Sequence, residues 1–215
     1  MKKLMWFPCP SIQSASTTHH TMSSLKLADI HTKILSLLGK QHCCPVTKNK
    51  GKPGLMLEMM TGIPQTSNCL DCSDGELKTV PVVRHKSGKL VPKETIAVTM
   101  LNQDDLKTND FKASKCFMKM KRVLIVPYLR DGDNIQFLTP VLIDAVQDAY
   151  AGIYEALEKD YASIRDQFLT KNTLESSTGT YLQNRTKGAG HGSKSRAFYL
   201  RKQFVEKWVL TGSAA

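Results

Sequence analysis

Asp71-Cys72-Ser73-Asp74-Gly75-Glu76-Leu77-Lys78-Thr79-Val80-Pro81 is the stretch on which the reading of this chain turns. The Lys opens an alternating apolar run, and on a β-strand residues i and i+2 share a face. Glu76 and Lys78 are therefore expected to project together, with a second carboxylate, Asp71 or Asp74, arriving from the preceding turn. Two carboxylates suit a hard cation such as Mg²⁺. An adjacent ammonium can orient or activate a water beside it. A charged edge strand carries the same pattern, so the reading depends on what accompanies it.

The chain has 215 residues and a formal charge of +11, from 30 Lys and Arg against 19 Asp and Glu. That length suits one moderately large domain with two lobes. The basic excess favours a polyanionic partner, because each neutralised phosphate releases counterions. No apolar run approaches the length of a membrane span. Met1-Lys2-Lys3 and the apolar Leu4–Phe7 imitate a signal peptide, but Pro8 and Pro10 interrupt it too early. Residues 1–22 read as a poorly ordered tail, with Met22 as a second possible start, and the protein is expected inside the cell rather than secreted. Cysteines 9, 43, 44, 69, 72 and 116 do not suggest a disulfide framework. Cys69-x-x-Cys72 with Cys43-Cys44 could supply four thiolates to zinc. Adjacent cysteines chelate one ion awkwardly, so reduced thiols are the expectation.

Periodicity predicts a first helix from Ser23 to Leu38, capped by Ser23 or Ser24, with Gly39 as its stop. A basic loop, Lys48–Gly54, leads to a short helix around Leu55–Met60. Residues 75–83 and 94–101 read as strands of one hairpin across the turn Arg84–Lys93. A basic helix over Lys112–Lys121 precedes the apolar run Arg122–Tyr128, expected as a central strand. Asp131–Asn134 marks a turn. Pro140 is expected to open a long helix with Val141, Leu142, Val146, Tyr150, Ile153, Leu157, Tyr161, Ile164 and Phe168 at helical spacing. Tyr181–Arg185 reads as a strand, 186–196 as a basic loop and Ala197–Trp208 as a closing helix. Gly188–Lys194 lacks the strand and helix of a phosphate-binding loop. His191, His19 and His20 receive no role.

Four segments in this order resemble the MutH mismatch-repair endonucleases and their GATC-cutting type II restriction relatives, within the PD-(D/E)xK nucleases. They are Lys50-Gly51-x-x-Gly54-Leu55-x-Leu57-Glu58, Gly75–Val82, Lys119–Pro127, and Tyr181–Lys187 with Ala197–Lys202. The likeness extends over about residues 25–208. It implies an α/β restriction-endonuclease-like fold, a mixed and mainly antiparallel sheet flanked by helices, with two lobes around a DNA cleft. The catalytic lobe would span about 23–130 and the recognition part about 135–208, within a domain of residues 23–215.

The resemblance also implies roles. Glu76 would be a metal ligand, and Lys78 would stand beside the attacking water and phosphate. Glu58 would be a further acid of the metal site and Lys119 the additional active-site lysine. Lys50, Tyr181, Arg185, Lys187, Lys194 and Arg196 would contact double-stranded DNA, with Arg185 the first choice for reading guanine. Mg²⁺ is the implied cofactor, with Mn²⁺ as substitute, and GATC the implied site, cut ahead of the G. In the family the first Asp lies seven residues before the Glu, where this chain has Cys69. Asp71 takes its place if the turn is two residues shorter, and Asp74 is the alternative. The hairpin aromatic of MutH is replaced near Ile96–Ala97 by aliphatic residues, which leans toward restriction. A restriction enzyme would dimerise transiently on its palindrome or cut twice. A repair nickase would answer to a mismatch-repair ATPase. A non-catalytic DNA-binding protein on the same fold is the remaining alternative.

Overall fold

The computed structural model describes residues 25–65, 68–187 and 195–211. The tail 1–22, the capping serines 23 and 24, Lys194 and His191 lie outside them. In chain order the elements are α1 (Leu27–Leu35), β1 (His42–Cys43), α2 (Lys52–Thr61), β2 (Glu76–Arg84), β3 (Leu90–Pro92) and β4 (Ile96–Met100). They continue with α3 (Gln103–Thr108), α4 (Lys115–Met120), β5 (Arg122–Asp131), β6 (Asn134–Phe137) and β7 (Val141–Asp144). The last are α5 (Ala151–Lys171), β8 (Leu182–Thr186), β9 (Arg196–Leu200) and α6 (Lys202–Val205), which runs into a π-helical turn, Glu206–Leu210.

The apolar run at Arg122 forms the central strand it predicts. Val123, Leu124, Ile125 and Val126 are all fully buried, because both faces of β5 are covered. Along one edge β5 pairs in parallel with β2, from Glu76 opposite Val123 to Val82 opposite Leu129. Its other edge is shared: residues 122–125 pair antiparallel with β7, and residues 128–131 with β6. Pro127 falls in the interval between those two partners, where a strand tolerates a missing donor. Leu77, Leu124 and Val126 pack with Leu27, Ile30, Ile34 and Leu57 of α1 and α2. Val80, Val123 and Ile125 pack on the opposite side with Cys116 and Met120 of α4 and Leu157, Tyr161 and Ile164 of α5. The fold is thus the expected mixed α/β arrangement, with helices flanking sheets whose pairings are mainly antiparallel.

Three local expectations are corrected. The hairpin partner of β2 is the short β3, with Arg84 opposite Leu90, whereas β4 joins a second sheet in the order β4-β9-β8. The backbone leaves the first sheet after Pro92, and Ile96 and Val98 bury themselves against Phe198 and Leu200 in the second core. Pro140 opens strand β7 rather than a helix, since Val141 and Ile143 complete the edge of β5, and α5 starts only at Ala151. Ala197–Leu200 is likewise strand, not helix: β9 is the middle strand of its sheet, and pairing on both edges outweighs its weak local preference.

One helix–sheet junction fixes the second sheet. Asp160 of α5 is buried, and its carboxylate accepts the backbone N–H groups of Thr180, Tyr181 and Leu182 at 2.8, 2.6 and 2.8 Å. Gly179 precedes them at φ +87°, and a Cβ there would stand 1.9 Å from the Leu182 carbonyl oxygen. Only glycine makes this approach without displacing β8.

Candidate active site

Glu76 and Lys78 occupy the same face of β2, as their spacing predicts. The Lys78 ammonium donates to Glu76 Oε1 at 2.6 Å. Glu76 itself is 1 % exposed, so its charge depends on partners. The second is Lys119, which donates to Oε1 and Oε2, both at 2.9 Å. Lys119 is held by the last turn of α4. Ser114 caps that helix by accepting the Phe117 N–H at 3.1 Å, while Cys116 and Met120 anchor it in the core. Because α4 ends where β5 begins, and β5 runs parallel to β2, Lys119 and Glu76 arrive at the same end of the sheet.

Two further acids lie close by. Asp71 Oδ2 accepts the Leu77 N–H at 3.0 Å, folding the turn back over the start of β2. Glu58, half-buried on α2, accepts from Gln65 Nε2 at 2.9 Å. Burial first, and then the Asp71 carboxylate, push the Glu58 carboxyl above its ordinary range. Lys78 and Gln65 pull it down, and Glu76 adds a smaller push. The three carboxylates and Lys78 therefore share one electrostatic neighbourhood. Among the described residues no three His, Cys, Asp or Glu side chains stand together as a metal cage. The oxygens of Glu76 are instead matched by ammonium groups.

Asp74 is committed elsewhere. Its Oδ1 accepts the Leu27 N–H at 2.8 Å, closing the N-terminus of α1, and its Oδ2 meets Arg122 Nη1 at 2.5 Å. The same guanidinium reaches Asp144 at 3.0 Å. Asp74→Asn should therefore lower stability by about 1–2 kcal/mol and leave the chemistry of Glu76 intact. Chemical denaturation beside a DNA-cleavage assay checks both halves. Glu58→Gln should do the reverse. A carboxyl raised by burial holds its proton more tightly when folded, so its ionisation opposes folding above the unfolded value. The amide should raise Tm by roughly 1–2 °C near pH 7 in EDTA. That gain should shrink as pH falls toward the ordinary carboxylate range. A Tm series across pH measures it.

A cleft of about 770 Å³ runs between the two sheets. One wall carries Lys50, Glu58, Lys78 and Lys93, and the other Ala97, Arg185, Lys187, Tyr199 and Lys202. Of the residues expected to face DNA, Lys50, Arg185 and Lys187 line this cleft, Lys50 while paired with Glu94 at 3.0 Å. Tyr181 packs against Trp208 at 4.4 Å between ring centres, and its hydroxyl meets Lys207. Arg196 donates from Nε to Asn184 Oδ1 at 2.6 Å beside the cleft's rim. Tyr199, Lys202 and Glu94 escaped the sequence reading. Reading Arg196–Leu200 as a strand would have found Tyr199, which alternates with the buried Phe198 and Leu200 and stacks under Arg185 at 5.2 Å.

Residues 66–146 match the family model described as MutH, DNA mismatch repair enzyme MutH. This segment is similar to the MutH family. The matched span holds Asp71, Glu76, Lys78 and Lys119, whereas Glu58, Lys50 and Arg185 lie outside it. The mixed α/β arrangement of the described residues, with mainly antiparallel pairings, is consistent with the PD-(D/E)xK-like fold of that family. No curated protein matches the chain. Among the described residues, no helix is long and apolar enough to cross a membrane.

Proposed function

We propose that the protein is a Mg²⁺-dependent, sequence-specific endonuclease that hydrolyses DNA at GATC-type sites and works as a type II restriction enzyme. The observation that carries this reading is Glu76, a buried carboxylate shared by Lys78 and Lys119 beside a cleft whose far wall is basic and aromatic. The donor types suit the cation, which is commonly held by one or two carboxylates and keeps several waters rather than taking a full protein cage. Glu58, Asp71 and Glu76 offer hard oxygens, and against Lys78 and Lys119 they leave one net negative charge. A divalent ion reverses that sign and matches a phosphodiester monoanion. When bound, it supplies Lewis-acid stabilisation of the charge that grows on the phosphate and the departing 3′ oxygen.

The chain's own groups do the rest. Lys78 orients the attacking water and a phosphate oxygen, and Lys119 offsets charge on the other side of Glu76. The water oxygen bonds to phosphorus as the bond to O3′ breaks. The water's proton passes to solvent, and the departing O3′ takes a proton from water. Arg185, which lies over the Tyr199 ring, is shaped to donate to the two major-groove acceptors of guanine. Arg185→Ala should reduce cleavage at the cognate site by about 10–100-fold and weaken binding to random duplex far less. Parallel cleavage and anisotropy titrations separate the two effects.

Supercoiled plasmid, methylated or unmethylated at GATC adenines, tests the assignment with Mg²⁺, Mn²⁺ or EDTA. Linear products ending at GATC support a restriction enzyme that pairs on its palindrome or cuts twice. The match to a mismatch-repair family favours a second reading, strand nicking under an ATPase partner, for which nicked circles would be the main product. Binding without cleavage under any divalent ion would overturn both and leave a DNA-binding protein.

A further inference from the structure

We infer that the outer face of α4 is a second DNA-binding surface, which holds the phosphate backbone flanking the recognition site. This rests on the endonuclease reading above. Lys119 is turned inward to Glu76, where the scissile phosphate must lie. Lys115 precedes it by four residues, hence on the same side of the helix and one turn, about 5.4 Å, away. Lys112 continues that direction from the preceding turn, and Lys121 flanks it. All three are exposed, and Lys112, Lys115 and Lys121 line a shallow depression of about 630 Å³ together with Cys69, Phe117 and Met118.

The depression contains a single acid, Asp105. Its carboxylate is engaged with the Lys115 N–H at 3.2 Å and Asn109 Nδ2 at 2.7 Å. Lys112 has only a long contact to Glu158, at 3.8 Å. The patch thus carries three exposed ammonium groups against one acid of its own, and Lys112 alone reaches a carboxylate, Glu158, outside it. It adjoins the catalytic residues from both chain directions: Cys69 stands two residues before Asp71, and Lys121 two after Lys119. Basic groups on the main cleft and on α4 therefore bracket the carboxylates. A backbone leaving the scissile position along α4 meets Lys115 and then Lys112, so successive phosphates stay within reach of a cation. A duplex extending beyond the site is the occupant whose charge suits this placement.

The test uses the full chain with Lys115→Gln and Lys121→Gln together, both exposed positions whose replacement leaves the core untouched. Two duplexes carry the same GATC site, one with long flanks and one ending about two base pairs beyond it. Binding is followed by anisotropy over a salt series in EDTA, and alkylation of Cys69 and of the exposed Cys43 by peptide mass mapping. On the long duplex the double variant should lose about 2 from the salt slope, near 0.9 per phosphate contact, and bind roughly 10-fold more weakly at 0.15 M salt. On the short duplex, variant and native protein should bind alike. Long duplex should also shield Cys69 and leave Cys43 reactive.

Equal slopes for variant and native protein, with Cys69 unprotected, would overturn the inference while native cleavage leaves the endonuclease assignment standing. That result would turn attention to an acidic protein partner for the patch. Failure of the native protein to bind either duplex would overturn both.

Discussion

Replacing Glu76 by glutamine should lower single-turnover cleavage by at least about a thousandfold, near 4 kcal/mol in the barrier, and leave DNA affinity equal or higher. The amide removes a hard anionic oxygen from the cation site and separates Lys78 and Lys119 from the charge that positions both. The surplus positive charge then faces the phosphate, which is why binding should not suffer. Some stability should be lost. Removing one partner of a buried ion pair is costly, but Lys78 and Lys119 remain 24 % and 15 % exposed and can turn toward water. A loss of about 1–2 kcal/mol is expected. Lys119→Met in the glutamine background should recover part of it, because it deletes one of the two orphaned ammonium groups. Quenched-flow cleavage, anisotropy and chemical denaturation form the complete set of measurements. Cleavage within tenfold of the native rate would remove Glu76 from the chemistry.

The second large effect lies far from the carboxylates. Asp160→Ala should destabilise the protein by about 3 kcal/mol, which in a chain of this size lowers Tm by roughly 6–12 °C. Three successive backbone N–H groups lose their acceptor at once, that of Leu182 in the buried interior. Asp160→Asn keeps one oxygen and should cost less. Gly179→Ala should rival the alanine variant, since its Cβ would collide with the Leu182 carbonyl. All three changes loosen the start of β8, the strand that carries Arg185. Sequence-specific binding should therefore fall more than non-specific binding does. Calorimetry and competition titrations with random duplex measure the two quantities, and an unchanged Tm in Asp160→Ala would refute the structural role.

Much of the catalytic side was legible in the sequence because its signals are local. The pairing of Glu76 with Lys78 follows from strand geometry alone, and the run at Val123 admits little but a strand covered on both faces. Lys119 and Glu58 came from resemblance, since a lysine and a glutamate on short helices look like solvated charges until the sheet gathers them. The choice between Asp71 and Asp74 needed coordinates. Both precede Glu76 closely, and only the three-dimensional path sends Asp74 to Leu27 and Arg122. The second sheet was largely illegible. Its strands come from two distant stretches, 96–100 and 182–200, and nothing local to Ile96–Met100 reveals that its partner is Arg196–Leu200. Pro140 misled because proline begins helices and edge strands equally well. The vacant edge of β5, which decides between them, is a property of the assembled sheet.

The parallel pairing of β2 with β5 has a consequence for how the molecule comes into being. Parallel neighbours cannot be joined by a tight turn, so the chain leaves the first sheet at Pro92 and threads β4 through the second before α4 and β5 return. The link between β2 and β5 is thus itself part of the wall that carries Arg185. Closing it brings residue 76 beside residue 123, and the entropy of so long a loop must be spent before any contact repays it. β4 finds its partner only when residues 196–200 have been made. Assembly of the ion pair between Glu76 and Lys119 is therefore expected late, after β9 has been made, so a nascent chain would hold these residues apart until both walls of the cleft are complete.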